Sequence, residues 1–445
     1  MILRSLATVL LTISPIAALL PSPCLAEEKI SFVRQVAPIL QKHCVACHGS
    51  KKAESDYRVD SFKALMQETS EGPAFVSGKR DASHLYQRLV TDDADLRMPP
   101  ESNPLPTSEI ETVERWIEQG LDFDGSSAAA PLAELLPVIT HPDPPDRYPA
   151  SLPISALLLL TKHERILIGG YHEILVWDYA GSLKARIRNQ GQRTFSIAMH
   201  PIKPLILSAS GTPGKLGEVR IFDLDSFELR GIVAQTDEVI MDAQFSPDGS
   251  RIAVAMPDGT TRVYSGSDYA EKERELLGHS DQVTSLTWHS DGIRLATTSR
   301  DHTAKVFDIE RGESIATFTG HSACVNDISF AGDKTLLSVS SDGSALTWNA
   351  ETGKRIKSLV SGKQNILACC VRQDKALVVG EHMVKWIDAR NGQQLENINI
   401  DDWCNSCDCV SGGENEDVHV LGTHSGRILL LRDKREVSNF TASPR

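Results

Sequence analysis

Beyond residue 20 the chain has no apolar run of the ~20 residues that a membrane-spanning helix needs, so no integral membrane segment is expected once an N-terminal signal is removed. Positive charge is also scarce. Lys and Arg number 46 against 59 Asp and Glu, for a formal net charge of −13. An acidic surface repels phosphates, which argues against nucleic acid as a partner. Between residues 27 and 125 there is no cysteine besides Cys44 and Cys47, so a zinc site there lacks its second ligand pair. The βαβ surroundings of a thioredoxin-like dithiol are missing as well. His172, His200, His382 and His424 are dispersed along the C-terminal part, with no inward cluster to hold a central cofactor.

At 445 residues, 41% hydrophobic and 24% charged, the chain has the composition of a globular protein with two or more domains. Its first residues read as a targeting segment. Arg4 precedes an apolar stretch over 6–20, and Cys24-Leu25-Ala26 ends in small residues before Glu27-Glu28. This pattern predicts a cleaved signal peptide over 1–26 and a periplasmic or otherwise exported protein. An uncleaved anchor is the alternative.

Cys44-Val45-Ala46-Cys47-His48 carries the chemistry. C-x-x-C-H is a c-type haem attachment pattern. Two thiols one turn apart add across the vinyl groups of one porphyrin, and the adjacent imidazole lies under the iron. Cys44 and Cys47 are thus expected to hold one haem c covalently, with His48 as proximal iron ligand. Phe32, Val36, Ile39 and Leu40 precede the motif at helical spacing, with Pro38 predicting a kink or break. Thr107 or Ser108 begins a second amphipathic segment with Ile110, Val113, Trp116 and Ile117 on one face, stopped by Gly120. Phe32 or Val36 is expected to pack on Trp116.

For the distal iron ligand, Met98 in Arg97-Met98-Pro99-Pro100 is the candidate. A thioether is soft and neutral and favours the reduced metal. His43 is too close to the attachment helix to reach the opposite haem face, His84 reads as a surface residue, and Met66 reads as core filler.

The blocks around these residues resemble the cytochrome c modules of planctomycete-type bacteria. The resemblance runs through Phe32, Val36-Ala37-Pro38-Ile39-Leu40, His43 to Gly49, Ser77-Gly78-Lys79, Ser83-His84-Leu85, Arg97 to Pro100 and Trp116 to Gly120, covering about residues 30–121. It implies a small all-α domain in which the methionine of the Met-Pro-Pro block, here Met98, is the distal ligand. One departure is polar: Glu68-Thr69-Ser70-Glu71-Gly72 stands where a glycine-rich stretch is usual, and a surface loop is expected there.

A Gly-Ser-Ser-Ala-Ala-Ala run at 125–130 and the proline-rich 141–145 predict a semi-stiff tether. Thereafter β-prone runs end at Trp177-Asp178, Phe222-Asp223, Tyr264-Ser265, Phe307-Asp308, Trp348-Asn349 and Ile387-Asp388, with an echo at Leu431-Arg432. They recur at roughly the ~40–45 residue period of WD repeats, one propeller blade each. Gly278-His279, Gly320-His321, Ser299-Arg300-Asp301 and Ser340-Ser341-Asp342-Gly343 fall in phase. This stretch resembles a WD-repeat protein, implying an all-β propeller of seven blades, with six or eight not excluded. Cys404, Cys407 and Cys409 fill inner-strand core slots as small hydrophobes, as do Cys324 and Cys369-Cys370. Asp408, not histidine, follows Cys407, so no second haem is expected.

The expected organisation is therefore a signal peptide over 1–26, a cytochrome c domain over 27–124, a linker over 125–150 and a WD-repeat propeller over 151–445. The expected function is electron transfer by a mono-haem cytochrome, with no catalytic residues. The propeller would dock a redox partner protein and other proteins. A scaffold or sensor with a regulatory haem, and a haem-containing periplasmic oxidoreductase, are the alternatives.

Overall fold

The computed structural model describes residues 29–45, 47–49, 57–69, 72–93, 95–100, 104–125, 127–135, 139–265, 269, 271–411 and 417–444. They fall into two units that divide between Pro137 and Val138. The signal peptide expected over 1–26 lies outside the described residues.

In the first unit the chain enters a π-helical turn, Phe32–Val36, and continues as α1, Ala37–His43. Ser31 caps it, its Oγ accepting from Arg34 N at 3.0 Å. Pro38 sits in the first turn of α1, where its missing N–H would have no partner anyway. The break expected at Pro38 is thus a change of helix type at the junction. Next come α2, Phe62–Leu65; α3, His84–Val90; α4, Thr107–Glu118; and α5, Leu132–Leu135. Gly120 ends α4 at φ +108°, a conformation that favours glycine.

Phe32, Val36, Trp116 and Ile117 are completely buried, and the Phe32 and Trp116 rings lie 5.3 Å apart. That is the expected contact between the first and last amphipathic helices. Trp116 Nε1 donates to Asp122 O at 2.9 Å, which satisfies the polar edge of the buried indole. The unit is not purely α: Glu68–Thr69 and Gly72–Pro73 form a short antiparallel pair where a polar loop was expected. The expected tether is also divided. Leu132 and Leu135 are apolar enough to join the first core, and Leu132 N donates to Asp60 O at 2.8 Å. Residues 139–150 belong to the second unit, where Tyr148 N donates to Pro444 O at 3.0 Å.

The second unit is built of antiparallel sheets of seven, four, four, four and six strands in chain order. The larger sheets are continuous because one long strand serves two neighbours. Leu183–Met199 pairs with Tyr171–Asp178 through its first half and with Leu205–Thr212 through its second. Gln394–Ser411 does the same in the last sheet. Strands pack in succession from Leu157–Leu160 to Leu183–Met199, Ala243–Phe245, Val283–Trp288, Val325–Gly332, Ile366–Arg372 and Gln394–Ser411, and the last returns to the first. At this closure Ile154, Leu157, Ile166 and Ile168 share one apolar cluster with Val418, Val420, Ile428 and Leu430.

Buried aspartates tie neighbouring sheets together. Asp242 accepts from Leu286 N at 2.9 Å, Asp327 from Cys369 N at 2.8 Å and Asp408 from Leu159 N at 2.9 Å. Burial pushes all three carboxyls up, Asp327 to about 6. Each nonetheless satisfies a buried backbone N–H, which is costly to leave unmade.

The in-phase His and Asp marks meet in space. His321 Nδ1 lies 3.1 Å from Asp342 Oδ2, its Nε2 lies 2.8 Å from Ser338 Oγ, and Trp348 Nε1 donates to Ser338 Oγ at 3.2 Å. His279 repeats this with Asp301 and Thr297, both at 2.9 Å. Burial pushes both imidazoles below their usual 6.5, and hydrogen bonds and the nearby imidazole outweigh burial to hold Asp301 near 2. The unfolded chain then binds protons more tightly than the folded one at all three groups. Their contribution to stability is complete above about pH 6.5 and is lost as pH falls. Asp327 acts in the opposite sense, losing its contribution as pH rises through about 6. A His279→Gln, His321→Gln variant isolates the imidazoles. Urea midpoints from pH 8 to 4 should fall less steeply for the variant than for the unmodified chain.

The inner strands carry register shifts, between Val283 and Ser285, Val325 and Asp327, Ile366 and Ala368, and Cys404 and Ser406. Each shift turns the strand by one residue. Cys404 and Cys407 therefore join the same apolar cluster, although residues three apart in a regular strand point to opposite faces. All described cysteines are free thiols.

Candidate functional site

The sequence motif forms one tight turn at the end of α1. Cys44 N donates to Leu40 O at 2.9 Å, and Cys47 N and His48 N both donate to Cys44 O, at 3.2 and 2.9 Å. These bonds hold Cys44, Cys47 and His48 close together just beyond the last residue of α1. Gly49 is buried beneath the turn, and a Cβ there would stand 2.7 Å from Val45 O.

His48 is half-buried, and its Nδ1 lies 3.1 Å from the Tyr57 carbonyl oxygen. A carbonyl only accepts, so Nδ1 carries the proton and Nε2 keeps its lone pair. This arrangement orients an imidazole for metal ligation. The chain at Val59 is held to the turn too, since Val59 N donates to His48 O at 2.8 Å. Tyr57 stacks edge-on to His48, with ring centroids 5.9 Å apart, and donates its hydroxyl to Leu65 O at 2.9 Å.

Burial, with smaller contributions from Cys47 and Glu109, pushes the Cys44 thiol up to about 12. Such a thiol does not ionise near neutral pH, which disfavours the thiolate chemistry of a redox dithiol or a zinc ligand. Among the described residues no group of three or more His, Cys, Asp and Glu side chains is arranged to hold a metal ion.

Met98 is half-buried on a separate loop, anchored where its N–H donates to Arg88 O at 2.9 Å. Beside it in sequence, Arg97 Nε is buried and has no hydrogen-bond partner among the described residues. The other candidates are placed differently. His43 Nε2 lies 2.8 Å from Glu109 Oε2 on α4, so it ties two helices together. His84 opens α3 and is half-buried beside Gly72 rather than at the surface. Met66, expected in the core, is 39% exposed. Among the scattered histidines, His172 bonds Gln190 O at 3.1 Å, His200 bonds Gly249 O at 3.2 Å and His382 bonds Ile400 O at 3.2 Å. His424 stands by Trp403.

Sequence reasoning missed Tyr57, Arg97 and Glu109. Tyr57 acts through its backbone, which leaves no side-chain signature. Arg97 was signalled by its place before Met98.

Compared with known proteins, residues 44–102 match the family described as Planctomycete cytochrome C. Residues 228–265, 270–308 and 312–349 match the WD domain, G-beta repeat. A U3 small nucleolar RNA-associated protein 4 homolog of Homo sapiens is 26% identical over 202 residues, 43% of this chain and 27% of its own length. Nuclear distribution protein PAC1 of Arthroderma benhamiae is 27% identical over 187 residues, 39% of this chain and 40% of its own. WD repeat-containing protein 1 of Xenopus tropicalis is 32% identical over 100 residues, 22% of this chain and 16% of its own. The chain thus spans less than half the length of these relatives. They also correct the expected periplasmic or exported location. The first two are named for a nucleolar RNA association and for nuclear distribution, and the apolar segment that suggested export lies outside the described residues. The chain therefore joins a segment matching Planctomycete cytochrome C to a segment of WD repeats.

Proposed function

We propose that Cys44, Cys47 and His48 hold one haem c, that Met98 is its distal ligand, and that the chain transfers electrons. The observation that carries this is the 3.1 Å approach of His48 Nδ1 to the Tyr57 carbonyl, which reserves Nε2 for a metal. The neutral Cys44 thiol agrees, because thioether formation consumes a thiol and requires no standing thiolate. The unpartnered Arg97 Nε is a donor suited to an anionic propionate. Bound there, the group supplies a one-electron couple.

The second unit is proposed to be a seven-bladed propeller. The successive inner strands that close on themselves support that count, with the two long strands each serving two blades. WD repeats are rigid platforms for protein binding, an argument from fold, so the propeller would dock a redox partner and other proteins.

Magnetic circular dichroism of the chain matured with a haem c ligation system tests the ligands. A sulfur-to-iron band lost in Met98→Ala and kept in Met66→Ala is the expected result. If Met98→Ala leaves it unchanged, Met98 is not the ligand. Ready binding of carbon monoxide by the reduced unmodified chain would instead favour a regulatory haem on a scaffold.

A further inference from the structure

The main chain of His48 is fixed on both sides. Its N–H donates to Cys44 O at 2.9 Å, and its carbonyl accepts from Val59 N at 2.8 Å. Val59 is itself completely buried. These bonds set where the imidazole begins, but not how the ring turns about its own side-chain bonds. Two contacts govern that rotation, and both belong to Tyr57. Its carbonyl oxygen lies 3.1 Å from Nδ1, and its ring stands edge-on to the imidazole with centroids 5.9 Å apart.

Tyr57 is held in turn by its hydroxyl. The side chain packs half-buried against the first core and donates to Leu65 O at 2.9 Å. Leu65 is the last residue of α2, and the last-turn carbonyls of a helix have no partner inside it. The phenol thus serves one of those acceptors. α2 is itself anchored: Ser61 Oγ caps it by accepting from Ala64 N at 3.2 Å, Lys63 N donates to Ala128 O at 2.6 Å, and Leu65 is completely buried. A line of contacts therefore runs from α2, through the hydroxyl and then the carbonyl of one residue, to His48 Nδ1. A phenylalanine at this position would keep the ring and lose the anchor.

We propose that Tyr57 is a positioning residue for His48: its hydroxyl bond to Leu65 holds its carbonyl and ring against the imidazole, which fixes the ring's rotation and the strength of the Nδ1–H bond. For its consequence at the metal this rests on the haem reading above. A firm Nδ1–H bond makes Nε2 a stronger electron donor, and a stronger donor favours the oxidised iron. Tyr57 thereby lowers the potential of the couple without touching the metal.

The test is a potentiometric titration of the full-length chain matured with a haem c ligation system. In Tyr57→Phe the one-electron equilibrium should shift about threefold toward reduced iron, a rise of ~28 mV at ~59 mV per tenfold. Val113→Ala controls for stability alone. It thins the buried core and touches none of these bonds, so it should melt lower with its potential unchanged. A second readout needs no haem. Nitrogen-15 shifts of His48 in the haem-free chain at pH 8 should place the proton on Nδ1, and in Tyr57→Phe should show it shared between both ring nitrogens. The proposal is overturned if a folded Tyr57→Phe chain keeps the unmodified potential, if Val113→Ala moves the potential as far, or if the tautomer is the same in both chains. An unmodified chain that takes up no haem ends the underlying reading instead, and the tautomer then decides the role of Tyr57.

Discussion

A Cys44→Ala, Cys47→Ala chain produced with a haem c ligation system should run colourless on a denaturing gel, while the unmodified chain keeps its haem colour. Only a covalent bond survives denaturation, and residues 29–43 and 57–125 offer no other thiol to make one. His48→Ala should still accept thioether bonds in part, because both thiols remain, but its spectrum should lose the features of imidazole ligation. A colourless unmodified chain ends the haem proposal outright. A coloured double variant places the attachment elsewhere. Cys44 packs against the edge of the Phe32–Trp116 core, and its change to Ala removes only one sulfur there, so tryptophan fluorescence should report an intact first unit.

The second large effect concerns stability. Arg220 is completely buried, its Nε 2.8 Å from Glu218 Oε1 and its Nη1 donating to Asn189 O at 2.8 Å, with Nη2 donating to Ile139 O. His141 Nε2 lies 2.5 Å from the same Glu218 oxygen. Arg220→Ala should destabilise the second unit by about 3–5 kcal/mol, since it leaves a buried carboxylate short of its partner. Urea denaturation of the full chain measures this. Arg220→Met with Glu218→Leu should recover much of the loss, because it removes both charges and fills their volume. If Arg220→Ala melts like the unmodified chain, the buried ion pair contributes nothing.

The Cys44-to-His48 motif and the repeat period were legible because each depends on local residue order. C-x-x-C-H must lie within one helical turn, and the WD repeats return at the ~40–45 residue period with endings such as Trp177-Asp178, Phe222-Asp223 and Phe307-Asp308. The pairing of His321 with Asp342 was visible only as two marks in phase, and their contact needed three dimensions. The buried Glu218–Arg220–His141 network was not legible. Its members are 77 residues apart at their furthest measured contact, and nothing in a strand pattern flags a buried arginine. In the cysteine-rich inner strand, Cys404 is fully buried and Cys407 packs against the same apolar cluster, whereas Cys409 joins no apolar cluster among the described residues. The register shift between Cys404 and Ser406 was not legible, because a shift of one residue leaves no mark in residue type. The tether was misplaced for a related reason: composition registers small residues and prolines, while two leucines decide where the chain docks.

The return of the last inner strand to the first has a consequence for how the molecule is assembled. Leu159 N meets Asp408 Oδ2, and Ser406 Oγ meets Ile154 O, across sequence separations of 249 and 252. Contacts inside one sheet span a few tens of residues. By loop-closure entropy, joining points ~250 residues apart instead of ~40 costs only about 1.6 kcal/mol more, so thermodynamics tolerates it easily. Kinetics does not, since distant pairings form slowly. During synthesis the middle sheets are complete while Ile154 to Leu160 still wait with a bare edge for residues the ribosome has yet to add. For that interval the newborn chain exposes a leucine-rich ribbon, and in this window it is most open to chaperones or to mispairing with its neighbours.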